Sequence, residues 1–489
     1  MATRDDNGTG PDPGSTGIVA AELEACLATL AKLDQLPVSH PDAITLQRAT
    51  ARLYMNFKKR RRRERHRDVS AADRAVLERT ATAAPGRIDD ETAGIELVST
   101  VTGASAGTLL RALPCYVCKQ RYTQVDAFYH QLCPACAVKH HERREARTDL
   151  TGRRALLTGG RAKIGMYIAL MLLRDGAHLT ITTRFPRDAV RRFASMEDSA
   201  EWIHRLRIVG IDLRDPGQVV ALADSVIEAG PLDILINNAA QTVRRSAGSY
   251  AHLVEAESAA LPAGDLPEVI TFGQTRSEHP ALLTQALAEH PALEPQMLAE
   301  LALVARSADP ARIGNGVAID AGGLVPDITH LNSWTQNVEQ VDPIEMLEVQ
   351  LCNATAPFIL VSRLRPAMAA SPARRTYVVN VSAMEGSFGR GYKGPGHPHT
   401  NMAKAALNML TRTSAKEMLS DGILMTSVDT GWITDERPHH TKMRLADEGF
   451  HAPLDLVDGA ARVYDPIVRG EAGEDLHGVF LKDYEPTVW

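Results

Sequence analysis

The chain has 489 residues, more than one hydrophobic core usually serves, so we expect two or three domains. Its content of 44% hydrophobic and 23% charged residues is ordinary for a globular protein, and the net charge of −6 gives no global reason to expect nucleic-acid binding. We find no apolar run long enough to span a membrane and no apolar signal-peptide core near the start of the sequence.

The first part of the chain is predicted to be a tail followed by helices. Residues 1–17 are rich in Gly, Pro, Asp and Thr, which is typical of disorder. Apolar residues recur at helical spacing over residues 18–33, and a second helix is predicted from Asp42 into residues 58–67. Ser70 and Asp73 resemble a helix N-cap, which predicts a further helix through Ala83. Residues 18–110 are therefore expected to form a helical N-terminal region.

Residues 58–67 form a basic run in which eight of ten residues are Lys or Arg. Such a run could contact nucleic acid, an acidic partner or an anionic surface. A solvated helix end is the simpler interpretation, and the sequence leaves both open.

Four of the six cysteines form two CxxC pairs, Cys115 with Cys118 and Cys133 with Cys136. These pairs favour a metal site in a reduced compartment over a disulfide framework, so we expect a cytoplasmic protein. Two CxxC pairs can place four thiolates tetrahedrally around Zn²⁺, although unrelated buried or redox cysteines are the alternative.

The spacing around these cysteines predicts a small zinc module at residues 111–148. The first pair forms a zinc-knuckle pattern, and a hairpin-length segment separates it from the second pair, which precedes a charged helix at residues 138–147. This order resembles a treble clef or zinc ribbon. Four protein ligands leave no open coordination position, so the zinc is expected to be structural. We expect the nearby histidines to lie on the surface rather than on the metal: His130, His140 and His141.

A strand–helix–strand unit follows in residues 153–184. An apolar strand at residues 155–157 enters a glycine-rich turn at residues 158–165, and the helix after it ends near Asp175. A second strand at residues 179–182 closes the unit. This arrangement holds a dinucleotide pyrophosphate on the backbone N–H groups of the helix N-terminus.

Further landmarks occur in a fixed order after this unit. Asp212 follows a strand predicted at residues 206–211, and the run from Asn237 to Ala240 follows a strand at residues 232–236. Asn353, Ser382 and Lys404 come next. Gly431 to Thr434 follow a strand at residues 423–428.

With the glycine turn, these landmarks resemble the short-chain dehydrogenase/reductase (SDR) family over residues 151–489. The resemblance implies an α/β fold with a doubly wound parallel sheet (Rossmann fold) at residues 149–489. It also implies hydride transfer between a nicotinamide ring and a carbonyl or alcohol.

The region between Ala240 and Trp334 is longer than the short connection that the family has there, which predicts an insertion at residues 241–335. It contains helical patterns at residues 281–288 and 295–305 and a loop near Gly314. The insertion could cover the substrate pocket or build an interface, and the sequence does not separate the two.

The resemblance implies a set of cofactor-binding residues around the glycine turn. Thr158, Gly159 and Gly165 would shape the turn, and Lys163 stands where the family has its middle glycine. Its ammonium could strengthen phosphate binding or crowd the turn, and Lys163 or Arg161 could offer a further cation to the phosphate. Arg184 follows the second strand, where an acidic residue would favour NAD; Arg pairs with a 2′-phosphate, so NADP is the predicted cofactor. A solvent-facing Arg184 is the alternative. The resemblance further implies cofactor contacts for Arg161, Ile164, Asp212 at the adenine, Asn238, Ala239 and Thr434, and for Asn237 near the ribose.

The resemblance also implies catalytic roles for three residues. Asn353 would hold a bend and a water in its helix, Ser382 would hydrogen-bond the reacting oxygen, and Lys404 would bind the nicotinamide ribose. The family has Tyr four residues before this Lys, and here that position is Thr400. An aliphatic hydroxyl cannot match the acidity of a phenol, whose ordinary pKa is about 10.

Another group would therefore have to donate the proton. Three residues of the lengthened Ser382–Thr400 interval could do so: Tyr392, His397 and His399. We favour His399 slightly, with Tyr392 as the rival.

The sequence supports three hypotheses. The first is an NADP-dependent oxidoreductase acting on a small molecule, with a zinc module, an inserted cap and an expected homo-oligomeric state. The second is a non-catalytic dinucleotide-binding sensor or scaffold, which Thr400 favours. The third is a nucleic-acid-associated protein that uses the cysteine pairs and the basic run.

Overall fold

The computed structural model describes residues 17–33, 35–85, 87, 97–245, 247–272, 324, 330–389, 391, 393–434 and 436–489. The predicted tail before residue 17, the helical patterns and the glycine loop of the insertion, and Tyr392 lie outside these residues.

The chain divides into two compact units, Met1–Ala72 and Asp73–Trp489. The first unit contains helix α1 (Ala20–Leu33) and most of helix α2 (Pro41–Leu77), and neither helix has a buried residue. The two predicted helices are confirmed. The basic run lies exposed within α2.

The predicted helix start at Ser70 is wrong. Helix α2 continues through Ser70 to Leu77, and only a 3₁₀ turn, Ala81–Ala83, follows. The Asp73 carboxylate accepts hydrogen bonds from the backbone N–H groups of Leu110 (2.6 Å) and Arg111 (3.2 Å), so it is occupied by another segment instead of capping a helix.

The second unit begins with the cysteine pairs. Strands β1 (Ser105–Pro114) and β2 (Arg121–Asp126) form an antiparallel hairpin, and Cys115 and Cys118 lie in its turn. The hairpin therefore surrounds the first pair, whereas the sequence suggested a hairpin between the pairs. Helix α3 (Pro134–Glu145) begins directly after Cys133, which confirms a second pair at a helix start. We call residues 105–147 the cysteine module.

The rest of this unit is built on one sheet of nine strands, ordered β11-β10-β9-β8-β6-β3-β4-β5-β7. Its strands are β3 (Arg154–Leu157), β4 (His178–Thr183), β5 (Leu206–Gly210), β6 (Ile234–Asn237), β7 (Glu268–Thr271), β8 (Thr376–Ser382), β9 (Ile423–Asp429), β10 (Phe480–Lys482) and β11 (Glu485–Thr487). All neighbouring strands are parallel except β10 and β11. The doubly wound parallel sheet predicted from the sequence is confirmed.

Helices cover both faces of the sheet. They are α4 (Lys163–Arg174), α5 (Pro186–Ala194), α6 (Ser199–Trp202), α7 (Pro216–Glu228), α8 (Ala251–Ser258), α9 (Pro343–Gln350), α10 (Ala356–Ala369), α11 (Pro398–Met418), α12 (His439–Asp447) and α13 (Leu456–Glu471). One buried cluster joins α4 and α13 to the strands, and a second joins α7, α10 and α11 to them. The strands are apolar because both of their faces are buried.

The sheet order places a switch point at β3. Strands β4 and β5 are added on one side of β3, and the next strand, β6, pairs with β3 on its other side. Ligands of doubly wound sheets bind at the carboxyl ends of the strands at such a point. Strand β7 comes from the predicted insertion and pairs in parallel with β5, at Arg207–Gly210 and Glu268–Thr271. This edge strand was not predicted, because four residues carry too little periodicity to be recognised.

The helical stretch Pro343–Ala369 is long and apolar enough by composition to cross a membrane, contrary to our reading of the sequence. Half of its apolar window is buried inside the structure, and Leu360 and Leu364 belong to the core beside α7. Burial on the sheet accounts for this composition.

Candidate active site

The glycine turn connects β3 to α4 at the switch point of the sheet. Gly159 has a φ of +71°, and a Cβ there would lie 2.9 Å from Ala239 Cα; at Gly165 it would lie 2.0 Å from the carbonyl oxygen of Gly159. Lys163 also has a left-handed φ, +53°, although it is not glycine. The turn therefore keeps a glycine-like backbone at Lys163, which is uncommon for a residue with a side chain.

The end of β6 is bonded to this turn. The Asn238 Nδ2 amide donates to the carbonyl oxygens of Thr158 (3.0 Å) and Gly159 (3.1 Å). In return, Thr158 Oγ1 accepts from the backbone N–H groups of Asn238 and Ala239, both at 3.0 Å. Asn237 instead donates to Asn380 Oδ1 (2.8 Å) on β8. The predicted Asn237–Ala240 segment thus fixes both the turn and the neighbouring strand.

Two of the predicted phosphate-binding cations have carboxylate partners. Arg161 Nη1 lies 2.5 Å from Asp188 Oδ2, and Lys163 Nζ lies 3.9 Å from Glu436 Oε1. Burial alone would raise the pKa of Asp188, but the guanidinium groups of Arg161 and Arg192 lower it below its ordinary value. These cations are held close to the turn by acids that a phosphate would have to displace or share.

Arg184, at the end of β4, has a different environment. Its Nη2 donates to the Tyr250 hydroxyl (3.0 Å), and its guanidinium lies 4.9 Å from the Tyr250 ring centroid. Burial would lower the pKa of Arg184, but Tyr250 and, after it, the negative charge of Asp212 raise it above its ordinary value. Among the residues the structure describes, no carboxylate forms an ion pair with Arg184. Tyr250 belongs to the insertion, and sequence analysis could not have assigned it to this site.

Asp212, predicted to bind the adenine, forms an ion pair with Arg214. The Arg214 Nη2 nitrogen lies 2.6 Å from Asp212 Oδ2, and its Nη1 donates to Glu348 (2.8 Å). Burial would raise the pKa of Asp212, but the hydrogen bonds from Arg214 lower it. Asp212 is thus an ionised carboxylate at the carboxyl end of β5, already paired with Arg214.

The predicted catalytic residues Ser382 and Lys404 come together at the carboxyl end of β8. Lys404 Nζ donates to the carbonyl oxygen of Val381 (2.8 Å), directly before Ser382. Burial lowers the pKa of Lys404 to about 8, and the negative charge of Glu385 opposes this effect. The Ser382 hydroxyl is buried and has no hydrogen-bond partner among the described residues.

Asn353 lies in a π-helical turn, Leu351–Thr355, between α9 and α10. Its Oδ1 accepts from the backbone N–H of Gln241 (2.7 Å), and its Nδ2 donates to the carbonyl oxygen of Gln241 (2.9 Å). The predicted bend is present as a π turn, and it joins this helix to the segment that follows Ala240.

Thr400 and Lys404 lie four residues apart in α11 and therefore on one face of the helix. The Thr400 hydroxyl is buried without a partner among the described residues. His397 precedes the helix with a φ of +45°, and its ring stacks on Trp334, with centroids 3.9 Å apart.

His399 is 1% exposed, and neither of its ring nitrogens has a hydrogen-bond partner in the described part of the chain. Burial, and secondarily His397, lower its pKa below the ordinary value. It lies about 100° around the helix from Thr400. Its carbonyl oxygen accepts from Gln350 Nε2 (3.2 Å), on the helix that leads into the Asn353 turn.

Thr434, predicted to contact the carboxamide or phosphates, is partly buried in the loop after β9, residues 430–434, which we call the β9 loop. Ile164, at the start of α4, is partly buried and packs against the buried cluster that contains Ile433 of that loop. The two segments predicted to hold the cofactor therefore share one apolar cluster.

The four predicted metal ligands also come together. The Sγ atoms of Cys115, Cys118, Cys133 and Cys136 all lie within 4.8 Å of one another, and those of Cys118 and Cys133 are 3.7 Å apart. Zn–S bonds of about 2.3 Å in a tetrahedron require sulfurs about 3.8 Å apart. The four thiols therefore fit a zinc ion.

Of the three histidines near the cluster, which were expected on the surface, two are buried. His130 is 4% and His140 1% exposed, while His141 is partly buried. His130 bonds Thr82 Oγ1 (2.7 Å), and His140 bonds the carbonyl oxygen of Cys136 (2.8 Å). Both rings are held by hydrogen bonds that the sequence does not reveal.

Comparison with known proteins agrees with this geometry. A family model described as short chain dehydrogenase matches residues 153–257. An uncharacterized protein, R665, of Acanthamoeba polyphaga mimivirus is 32% identical over 369 residues, covering 72% of this chain and 71% of that protein. A probable oxidoreductase of Streptomyces lividans is 42% identical over 93 residues, which are 19% of this chain but only 29% of the relative.

Solved structures are similar at low sequence identity. The NADPH-bound carbonyl reductase from chicken fatty liver is 18% identical, with a TM-score of 0.41 over 70% of this chain and 100% of that one. A short chain dehydrogenase of Burkholderia cenocepacia in complex with NADP is 20% identical, with a TM-score of 0.42 over 68% of this chain and 97% of that one. From the family match over the glycine turn, the long mimivirus relative and the parallel sheet with its ordered landmarks, we conclude that the chain belongs to the short-chain dehydrogenase/reductase family.

Proposed function

We propose that the protein is an NADP-dependent oxidoreductase that transfers a hydride between nicotinamide and a carbonyl or alcohol substrate. One observation carries this proposal: a buried ammonium, Lys404, is bonded to the strand end that presents the Ser382 hydroxyl, which has no partner in the described part of the chain. Both residues lie at the carboxyl edge of the sheet, two strands from the glycine turn. A buried hydroxyl without a partner is costly unless a ligand completes its hydrogen bonding.

The residues around the turn fit a dinucleotide. The N–H groups at the start of α4 suit a pyrophosphate. The two hydrogen bonds from the Asn238 side chain fix the turn that presents these groups. Arg184 suits the 2′-phosphate better than Arg161 or Lys163, because those two form ion pairs with carboxylates, whereas Arg184 donates to the Tyr250 hydroxyl. NADP is therefore the proposed cofactor.

When bound, the nicotinamide would supply or accept the hydride, and the chain's own side chains would handle the oxygen and the proton. Ser382 would donate a hydrogen bond to the substrate oxygen, and Lys404 would bind the ribose. His399 is the proposed proton donor, since its buried ring has no hydrogen-bond partner among the described residues and imidazole is a common general acid. Positioned proton transfer contributes roughly 10²- to 10⁴-fold to such reactions.

The proposal is tested by following NADPH oxidation with a panel of aldehydes and ketones, in parallel with NADPH binding. Ser382→Ala should lower turnover roughly 100-fold and leave the NADPH dissociation constant nearly unchanged. Ser420→Ala, at an exposed position after α11, is the matched control and should behave like the unmodified protein. Equal turnover in Ser382→Ala and the control would refute the assigned chemistry.

The proton donor needs its own variants. His399→Ala should reduce hydride transfer strongly while NADPH binding stays nearly intact, and Thr400→Val should have a smaller effect. If His399→Ala and Tyr392→Phe both leave turnover unchanged, neither residue is the donor.

A second candidate function, a dinucleotide-binding sensor or scaffold without catalysis, is favoured by Thr400 in the place of the family's Tyr. It predicts NADPH binding without oxidation by any member of the carbonyl panel. Binding together with turnover would exclude it.

A further inference from the structure

The cysteine module contacts the β9 loop directly through Tyr116. This residue lies between the first two cysteines of the cluster, and its hydroxyl accepts a hydrogen bond from the backbone N–H of Trp432 (2.9 Å). Trp432 follows Gly431, whose φ is +77°. A side chain that directly follows one metal-ligand position and lies two residues before the next thus holds the middle of a predicted cofactor-binding loop.

Arg462 makes a second connection to the same loop. It is 2% exposed, and its Nη1 donates to the carbonyl oxygen of Thr430 (3.2 Å). Its Nη2 contacts His140 Nε2 (2.9 Å), and His140 Nδ1 contacts the carbonyl oxygen of Cys136 (2.8 Å). Because Arg only donates and a carbonyl only accepts, His140 carries its proton on Nδ1. A chain of hydrogen bonds therefore runs from the fourth cysteine to the start of the loop.

An apolar cluster joins the module to both predicted cofactor-binding segments. Ile433 of the β9 loop packs in one buried cluster with Tyr129, Leu132 and Ala137 of the module. Ile164, from the helix that begins at the glycine turn, packs against the same cluster. The module therefore shares one apolar cluster with both segments of the proposed dinucleotide site.

We propose that metal binding at the four cysteines raises the affinity for NADP(H), and that Tyr116 is the positioning residue that transmits this effect. The proposal rests on the proposed dinucleotide site. A metal ion fixes Cys115 and Cys118 and hence the Tyr116 hydroxyl between them. When the cluster is empty the β9 loop is less ordered, and the cofactor must order it on binding, which weakens affinity.

The direct test separates this coupling from the stability of the module. Tyr116→Phe removes only the hydroxyl, so it should retain one metal per chain. Loss of one hydrogen bond should weaken NADPH binding about 2- to 10-fold, measured by fluorescence titration. Backbone hydrogen exchange at Trp432 should also become faster in this variant, with or without cofactor.

Tyr122→Phe is the matched control. Tyr122 is another buried phenol of the module, but its hydroxyl donates to the carbonyl oxygen of His130 (2.7 Å) and not to the β9 loop. It should leave the NADPH dissociation constant and Trp432 exchange unchanged.

Thermodynamic reciprocity gives a second readout that needs no activity. If metal raises NADPH affinity, saturating NADPH must raise metal affinity by the same factor. Zinc in the unmodified protein should compete better against a chromogenic chelator when NADPH is present, and Tyr116→Phe should lose most of that gain.

The outcomes distinguish the two proposals. Suppose the unmodified protein binds NADPH. If a metal-loaded Tyr116→Phe variant then binds it with equal affinity and NADPH has no effect on zinc competition, the coupling is overturned and the proposed function is left intact. Unmodified, metal-loaded protein that binds neither NADPH nor NADH would overturn both.

Discussion

Lys404 is expected to make the folded protein less stable at neutral pH than above pH 8. Burial lowers its pKa from 10.5 to about 8. The unfolded chain binds the proton up to its higher pKa, so between these values the unfolded state holds more protons and the free energy of unfolding rises with pH. A tenfold change in proton affinity is worth about 1.4 kcal/mol. The buried lysine thus costs the folded state about 3 kcal/mol at pH 7, and progressively less above pH 8.

Lys404→Met removes this cost together with the hydrogen bond to Val381, a loss of about 1–2 kcal/mol. We expect the variant to be about 1–2 kcal/mol more stable than the unmodified protein at pH 7 and no more stable at pH 10. Urea unfolding followed by tryptophan fluorescence at both pH values measures the difference, and other titrating groups cancel in the comparison. Lys416→Met, at an exposed site on the same helix, is the control. An identical stability difference for Lys404→Met at pH 7 and pH 10 would refute the reasoning.

Three further predictions concern the cofactor and the metal. Arg184→Ala should weaken NADPH binding more than NADH binding, whereas Arg174→Ala, at the far end of α4, should change neither; equal affinities of the unmodified protein for the two cofactors would contradict the 2′-phosphate assignment. Cys115→Ser should lose the metal and destabilise the cysteine module, whereas Cys26→Ser should retain one zinc per chain by metal analysis; zinc-free unmodified protein would exclude the site. Asn238→Ala should weaken both cofactors about equally, roughly 10-fold, by titration, because it loosens the glycine turn without touching Arg184.

The central part of the fold could be predicted because its signals are local. The strand before Thr158, the glycine turn and the helix after it are contiguous in the sequence, and β4, β5, β6 and β9 occur within two residues of their predicted bounds. The helix start predicted at Ser70 failed because a cap signal depends on what else bonds the side chain. Asp73 bonds the backbone of β1, 37 residues away, and no local pattern contains that information.

Within the candidate site, only the residues that stand in recognisable sequence motifs could be predicted. The four cysteines converge as their spacing indicated, and Ser382 and Lys404 meet at one strand end. The sequence did not reveal that Tyr250 and Arg462 belong to the site, because each reaches it through a tertiary contact between distant segments. Such contacts have no periodicity or fixed spacing, so the sequence shows the residues without their partners.

The edge strand β7 has a consequence for how the insertion is attached. It runs parallel to β5, so the chain leaves β7 at the carboxyl end of the sheet, where the N–H of Phe272 donates to the carbonyl oxygen of Gly210. The insertion ends at the same end of the sheet, where Trp334 stacks on His397. Both attachment points are thus fixed by the sheet and by α11, whatever the number of residues between them. The described ends of the insertion are therefore held by contacts of their own, and both lie beside the candidate active site.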